Sequence, residues 1–180
     1  MPLNFITGAP GSGKTAVTNE ITSRGYQIYD TDDPTHTGIA GWYDLATGEY
    51  VAGFNEREVT PALLDTHIWK LSDAAFENFK NKSELELIYL CGRLRDPGPI
   101  IEATRHIVFL AVEEGTIADR LEKRGKIPGE VNWGREPWQV KRSIVINREL
   151  EAQYRSLGAI MINADRPLPE VVDNIISETA

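Results

Sequence analysis

"LNFITGAPGSGKTAVTNEI", residues Leu3 to Ile21, decides how the rest of the chain is read. Leu3–Thr7 is an apolar run of strand character that stops at a cluster of glycines, after which a helical pattern opens on one lysine. Gly8-Ala9-Pro10-Gly11-Ser12-Gly13-Lys14-Thr15 fits the phosphate-binding pattern G-x-x-x-x-G-K-[ST] at every fixed position. The glycines let successive backbone N–H groups turn inward around an anion, and the helix that follows aims its N-terminal dipole at the same point. Lys14 adds the full positive charge. Its ammonium is expected at the β- and γ-phosphates of a nucleotide and the Thr15 hydroxyl on Mg²⁺.

Bulk properties bound what else the chain does. At 180 residues it has room for one domain with a full hydrophobic core, so a single domain spanning 1–180 is expected. Hydrophobic residues make up 41% and charged residues 26%, which argues against wholesale disorder. The formal net charge of −8 argues against a protein that coats nucleic acid or an anionic membrane. No apolar run reaches the roughly 18 residues of a bilayer span, and the N-terminus lacks a basic leader with an apolar stretch behind it, so a cytoplasmic protein is expected. Cys91 is the single cysteine, which excludes an intrachain disulfide and a thiolate zinc cluster. His36, His67 and His106 have no metal-ligand spacing and read as structural or surface residues.

Further apolar runs at Tyr26–Tyr29, Leu85–Cys91, His106–Val112 and Ala159–Ile162 read as strands, with helical patterns between them. Leu64, Ile68, Leu71, Ala75 and Phe79 recur at three- and four-residue steps behind Thr60-Pro61, a good N-cap and first-turn pair, and predict one helix. Ile146, Leu150, Tyr154 and Leu157 predict a second, opened by Pro137, and Val171, Val172, Ile175 and Ile176 a closing one. Continuous apolar strands each followed by a helix imply an α/β fold with a parallel sheet buried on both faces. Two segments stand outside the alternation: an insert at 31–58, rich in Gly, Asp and aromatic residues, and a Gly/Pro-rich stretch at 125–137. Long irregular stretches of this kind are usually lids or binding loops.

The glycine loop names the donor but not the reaction. No aspartate is followed three residues later by glycine, and Asn81-Lys82-Ser83-Glu84 is only a near miss for a guanine-reading motif, so a GTPase is disfavoured. The run ending in Cys91-Gly92 lacks the terminal carboxylate of a motor or ring ATPase. Carboxylates appear instead in "YQIYDTDD". Asp30 and Asp32, at i, i+2 spacing after the second strand, project from the edge where ligands of open parallel sheets bind. One carboxylate there holds water on Mg²⁺, and its neighbour accepts a proton from an attacking hydroxyl. Asp33, in the turn-like Asp33-Pro34, stays open between site and turn. From Arg120 to Arg142 seven basic residues face three acidic ones, and Arg120 and Arg124, one helical turn apart, are placed to close over phosphates as part of a lid at 120–137. Lys141 and Arg142 read as surface.

"GAPGSGKT", "YDTDD", "VFLAVEEGTIADRLEKRG" and "GAIMINADRPLPEVVDNI", in that order, make the chain resemble the small P-loop kinases that include shikimate kinase, gluconate kinase and the adenylate-kinase-like enzymes. The resemblance runs over nearly the whole chain and is nearest to shikimate kinase. It implies a three-layer α/β/α fold with a five-stranded parallel sheet in the order 2-3-1-4-5. It also implies Mg²⁺ near Asp30 and the acceptor hydroxyl at Asp32, with adenine packed by Arg120 and the loop around Asp165-Arg166-Pro167. Arg148 in "INRELEAQY" corresponds to an arginine that pairs with the acceptor's carboxylate, and Arg57 in "GFNERE" is a looser match. The chain departs from shikimate kinases in having Cys91-Gly92-Arg93-Leu94-Arg95 where they carry a glycine-rich run, and Asn55 after Phe54 where they carry Phe-Arg. The insert "GIAGWYDLATGEYV" brings Trp42, Tyr43 and Tyr50 to the acceptor side, either to stack on a base or sugar or to cover a small hairpin turned at Thr47-Gly48.

The expected function is ATP- and Mg²⁺-dependent transfer of the γ-phosphoryl group to a small-molecule hydroxyl or phosphate. Two rivals are a slow ATPase that switches a protein partner and a kinase acting on a nucleic-acid end or sugar nucleotide. The net acidity weighs against long nucleic acids. Acceptor, pathway, ATP against GTP, and monomer against homodimer are left open by the sequence.

Overall fold

Leu3–Thr7 (β1) has no exposed side chain, as a strand covered on both faces and flanked on both edges requires. The computed structural model describes residues 3–32, 39–52, 59–94, 97–127 and 133–180. β1 pairs in parallel with Ile88–Cys91 (β5) on one side and His106–Ala111 (β6) on the other. Gln27–Asp30 (β2) lies outside β5, and Ile160–Asn163 (β7) outside β6. Counted along the chain these five parallel strands have the order 2-3-1-4-5, the one the resemblance implies.

Side chains alternate between the faces of the sheet, and each face has its own core. Ile6, Val108 and Leu110 meet Val17 and Ile21 of Lys14–Ser23 (α1), Ile117 and Leu121 of Glu114–Gly125 (α5), and Val172 and Ile175 of Leu168–Thr179 (α7). On the other face Phe5, Leu90 and Phe109 meet Phe79 of Asp73–Ser83 (α3), Ile100 of Gly98–Ala103 (α4) and Tyr154 of Pro137–Ser156 (α6). Helices therefore cover both faces, giving three layers. Pro137 opens α6 as expected, and the Gln139 side-chain oxygen accepts from the backbone N–H of Glu136 and of Gly134, fixing the approach to the helix.

The single helix expected from Leu64 to Phe79 is a misreading that the structure corrects. Thr60 does cap a helix with Pro61 in its first turn, Oγ1 accepting from Leu63 N at 3.2 Å, but Pro61–Thr66 (α2) ends there. His67–Leu71 is a strand (β4), antiparallel to Ala40–Asp44 (β3). A new helix, α3, begins behind Ser72, whose Oγ accepts from Ala75 N. Leu64, Leu71 and Phe79 are each buried, so the spacing of apolar residues was real, but it belongs to three elements. Cross-strand packing overrides it: Trp42 faces Trp69 at 5.5 Å in an edge-to-face pair. The strand expected from Leu85 starts instead at Ile88, because the amides of Leu85 and Glu86 both donate to Lys82 O and prolong the end of α3.

The insert contains a hairpin turn. Asp44 Oδ1 accepts from the amides of Ala46 and Thr47, Gly48 sits at φ +72°, and Tyr43 bridges to Tyr50. On this face of β3, Tyr43 packs on Tyr50 at 5.6 Å with the Lys70 ammonium over its ring. Trp42, on the opposite face, turns toward Trp69. The three aromatic residues thus divide, two packing the hairpin and one facing a cleft. Among the described residues no helix is long and apolar enough to cross a membrane.

Candidate active site

The glycine loop is built from the carboxyl end of β1. Gly11 and Gly13 lie at φ +88° and +99°, conformations that L side chains avoid, and they turn the chain sharply into α1. Gly8 has no room for a Cβ, which would sit 2.6 Å from Ser12 Oγ. Ser12 N donates to Ala9 O at 3.1 Å and closes the loop. Two features suit the loop to a phosphate. Ser12 Oγ is buried without a hydrogen-bond partner among the described residues, and Thr15 is exposed in the first turn of α1.

Lys14 is buried, and its ammonium is held in the loop by the carbonyls of Gly8 (3.0 Å) and Ala9 (3.3 Å). It also reaches Asp32 Oδ2 at 3.4 Å, so the loop lysine and the acidic pair after β2 meet at one point. Asp30 is buried, and its Oδ1 accepts from Asp32 N at 2.8 Å, which sets the turn that presents Asp32. Asp32 Oδ1 accepts from Arg93 N at 2.9 Å. Thr31 N donates to Cys91 O at 2.8 Å. This close approach needs Gly92, where a Cβ would stand 1.8 Å from Thr31 Oγ1. Cys91 itself is no nucleophile: burial pushes its thiol up to about 12.

Among the described residues no three His, Cys, Asp or Glu side chains cluster as a metal site. Mg²⁺ does not need one, since it is usually held by one or two protein oxygens, waters and the substrate phosphates. The Thr15 hydroxyl and the Asp30 carboxylate are of that type.

Arg120 joins the glycine loop to the turn after β7. Its Nη1 donates to Gly11 O (3.3 Å) and Ser12 O (3.2 Å), and its Nη2 to Ala164 O (2.9 Å), which brings the glycine loop against the turn carrying Asp165 and the exposed Arg166. Asp165 Oδ2 accepts from Glu113 N and ties the same turn to the start of α5. Arg124, one turn further on, donates from Nε and Nη2 to Trp133 O at 3.0 and 2.8 Å. Arg57 and Asp33 lie outside the described residues.

Arg148 does not line the cleft beside Asp32. It is exposed on α6 and forms a two-pronged pair with Glu114, whose carboxyl is held below its ordinary value by that hydrogen bond. Arg142, read as surface from the sequence, lines a cleft with Ile146 of the same helix, and with Trp42, Trp69, Arg93 and Trp133. Residues 142 and 146 share a helix face, whereas 148 falls about 200° further round from 146. Sequence reasoning also missed Gly92, Trp69 and Trp133. Trp69 was legible, since His67–Leu71 is a β-branched and aromatic run, but it was absorbed into a helical spacing. Trp69 Nε1 donates to Thr31 O at 3.0 Å, placing the cleft next to Asp32.

No family model and no curated protein matches the chain. Solved structures do match. They include a shikimate kinase from Acinetobacter baumannii in complex with shikimate, at 14% identity and TM-score 0.55 over 99% of this chain and 94% of that one. A gluconokinase from Sinorhizobium meliloti matches at 14% and 0.50 over 99% and 91%. A deoxyadenosine kinase from M. mycoides with bound dATP matches at 13% and 0.51 over 98% of both chains. At these identities the likeness is one of fold, and the fold of this chain is that of the P-loop kinases.

Proposed function

We propose that this chain is an ATP- and Mg²⁺-dependent phosphotransferase that moves the γ-phosphoryl group onto a small-molecule hydroxyl or phosphate. The observation that carries the reading is the 3.4 Å approach of Lys14 Nζ to Asp32 Oδ2, which joins the donor-gripping cation to a proton-accepting carboxylate. In the reaction the loop amides from Gly8 to Thr15 hold the triphosphate, and Lys14 leaves the carbonyls of Gly8 and Ala9 for the β- and γ-phosphate oxygens. Ser12 Oγ, buried and without a partner among the described residues, supplies a further donor. Thr15 and Asp30 would hold Mg²⁺, which when bound neutralises charge on the phosphates.

Asp32 orients the acceptor hydroxyl and takes its proton as the new O–P bond forms. The bond from the γ-phosphorus to its bridging oxygen breaks, and the electron pair stays on ADP. Arg120 acts as a positioning residue, because its guanidinium holds the loop carbonyls and the turn beside Arg166 rather than reaching inward. Residues 120–137, of which 128–132 lie outside the described residues, act as a lid that excludes water, with Arg124 exchanging Trp133 O for phosphate oxygens on closure. The three matched kinases are named for different acceptors, so the fold leaves the acceptor to the residues of the cleft. The test is an acceptor screen followed by ³¹P NMR, with Lys14→Ala and Asp32→Asn as controls. Transfer that survives in Asp32→Asn at the parental rate removes the role given to Asp32, and no nucleotide uptake by calorimetry removes the whole reading.

A further inference from the structure

β2 is an edge strand, paired with β5 on one side only. The turn that carries Asp30 and Asp32 continues it, and bonds from the β5 side hold that turn: Thr31 N to Cys91 O at 2.8 Å, Thr31 Oγ1 to Cys91 O at 3.3 Å, and Arg93 N to Asp32 Oδ1 at 2.9 Å. The β3–β4 hairpin adds a bond from outside the sheet, Trp69 Nε1 to Thr31 O at 3.0 Å. The carbonyl of Thr31 and the amide of Asp32 belong to one planar peptide unit. Its oxygen accepts from the indole while its N–H donates to Asp30 Oδ1 at 2.8 Å, so the plane is fixed at both polar atoms. Rotation of that plane would turn the Asp32 carboxylate off Lys14 Nζ, which it now approaches to 3.4 Å. The indole is a stiff support. Trp69 sits in the middle of β4 directly across from Trp42 of β3, the two rings meeting edge to face at 5.5 Å, and it packs on the core that contains Phe79 and Leu90. β4 ends at the buried Leu71, and Ser72 N beyond it donates to Ile39 O. Thr31 is 1% exposed, so water is kept from replacing the indole at its carbonyl.

We propose that Trp69 is a positioning residue for phosphoryl transfer: through Thr31 O its N–H sets the peptide unit that aims the Asp32 carboxylate at the attacking hydroxyl. The inference rests on the phosphotransferase reading for the reaction, but not for the bond. Trp69 reaches no reacting atom; it acts through the backbone. A carboxylate that takes a proton works only within hydrogen-bond reach of the hydroxyl, and misplacing it by about 1 Å costs up to about a hundredfold in rate. The same peptide unit is bonded to Asp30, so the indole also steadies the carboxylate proposed for Mg²⁺. The hydrogen bond of Trp69 goes to the acidic turn and not to the glycine loop, so nucleotide binding does not depend on it. The hairpin is thereby more than a cover for its own aromatic residues, because one face of it braces the acids from the open edge of the sheet.

Two variants remove the donor. Trp69→Phe keeps a ring, and Trp69→3-benzothienylalanine keeps the fused ring with sulfur in place of N–H, so that the packing against Trp42 is retained. Each is expected to lower the rate of transfer about tenfold, the effect of one buried carbonyl left without its donor, while the affinity for Mg·ATP measured by calorimetry stays unchanged. A merely structural role lowers transfer by the same factor whether or not the carboxylate is present. A role through Asp32 does not: in the Asp32→Asn background the loss of the indole donor is expected to have no further effect, since the group it aims is already gone. In ¹H–¹⁵N NMR Trp69→3-benzothienylalanine is expected to shift the amide signals of Asp32 and Arg93 and leave those of α7 in place. Parental transfer in both variants, the same fold-loss in the Asp32→Asn background, or unmoved Asp32 and Arg93 amides overturns the inference. The amide signals need no turnover, so they decide whether the indole holds the turn even where calorimetry shows no nucleotide uptake and the phosphotransferase reading falls. Nucleotide-dependent transfer that survives loss of the donor sinks only this inference.

Discussion

On the proposed function Lys14 carries two duties, and its substitution should expose both. Its ammonium bonds two loop carbonyls and faces Asp32, so Lys14→Ala removes the cation meant for the phosphates and also the link between the loop and β2. Turnover that depends on nucleotide should fall at least about a hundredfold, the usual loss for one preorganised charge donor, as measured by steady-state kinetics. Asp32→Asn keeps the shape and hydrogen bond to Arg93 N but not the basicity. It should retain ATP binding by calorimetry while transfer falls by about two to four orders of magnitude, the range of general-base catalysis. Gly92 is a purely steric case. A methyl placed 1.8 Å from Thr31 Oγ1 must displace that hydroxyl from Cys91 O and crowd Asp32 Oδ1, so Gly92→Ala should cost about 1–3 kcal/mol in chemical denaturation and slow transfer as well. Only Lys14 and Asp32 of these three stood out in the sequence. Gly92 followed a strand in an unremarkable Cys-Gly pair, and its need comes from a strand brought beside it from sixty residues away.

The segment from Thr60 to Ser83 shows how an element can be misread from spacing alone. A three- and four-residue recurrence of apolar side chains is produced by an amphipathic helix, but a short helix, a strand and another helix can produce it too. Ser72 separates the two possibilities experimentally. In one continuous helix Ser72→Ala would replace a poor helix former with the best and add stability. As the cap of α3, with Oγ accepting from Ala75 N, Ser72→Ala should lower stability by about 1 kcal/mol in a denaturant titration. The hairpin that claims His67–Leu71 also decides which aromatics face the cleft, since period-two alternation sends Trp42 to one face of β3 and Tyr43 to the other. On α6 the same kind of geometry chooses Arg142 over Arg148, because the helix face turned to the cleft is the one that also carries Ile146.

At the scale of the molecule, the two cores on either side of the sheet make the central strands sensitive to pH. Burial pushes the Cys91 thiol and the Tyr154 phenol each up to about 12, from ordinary values of 9.0 and 10.0. In the unfolded chain both groups ionise at those ordinary values, so between about 9 and 12 the native state holds more protons than the unfolded one and stability falls as pH rises. Denaturant midpoints measured from pH 8 to 11 should drop, and the drop should be shallower in Cys91→Ala. Phe109 stacks on Tyr154 in the middle of one core, and Phe109→Ala should cost about 3–5 kcal/mol. The sequence by itself determined the glycine loop, the acidic pair after the second strand and a parallel α/β sheet, because each rests on residues close together in the chain or on apolar runs long enough to declare themselves, while the strand order 2-3-1-4-5 was implied only by the resemblance to the small P-loop kinases. Only the tertiary structure decided what lines the cleft beside Asp32: Trp42, Trp69, Arg93, Trp133 and Arg142 come from two strands, two connecting segments and one helix spread over a hundred residues, and no local preference records which of their faces the packing of hairpin against helix turns inward.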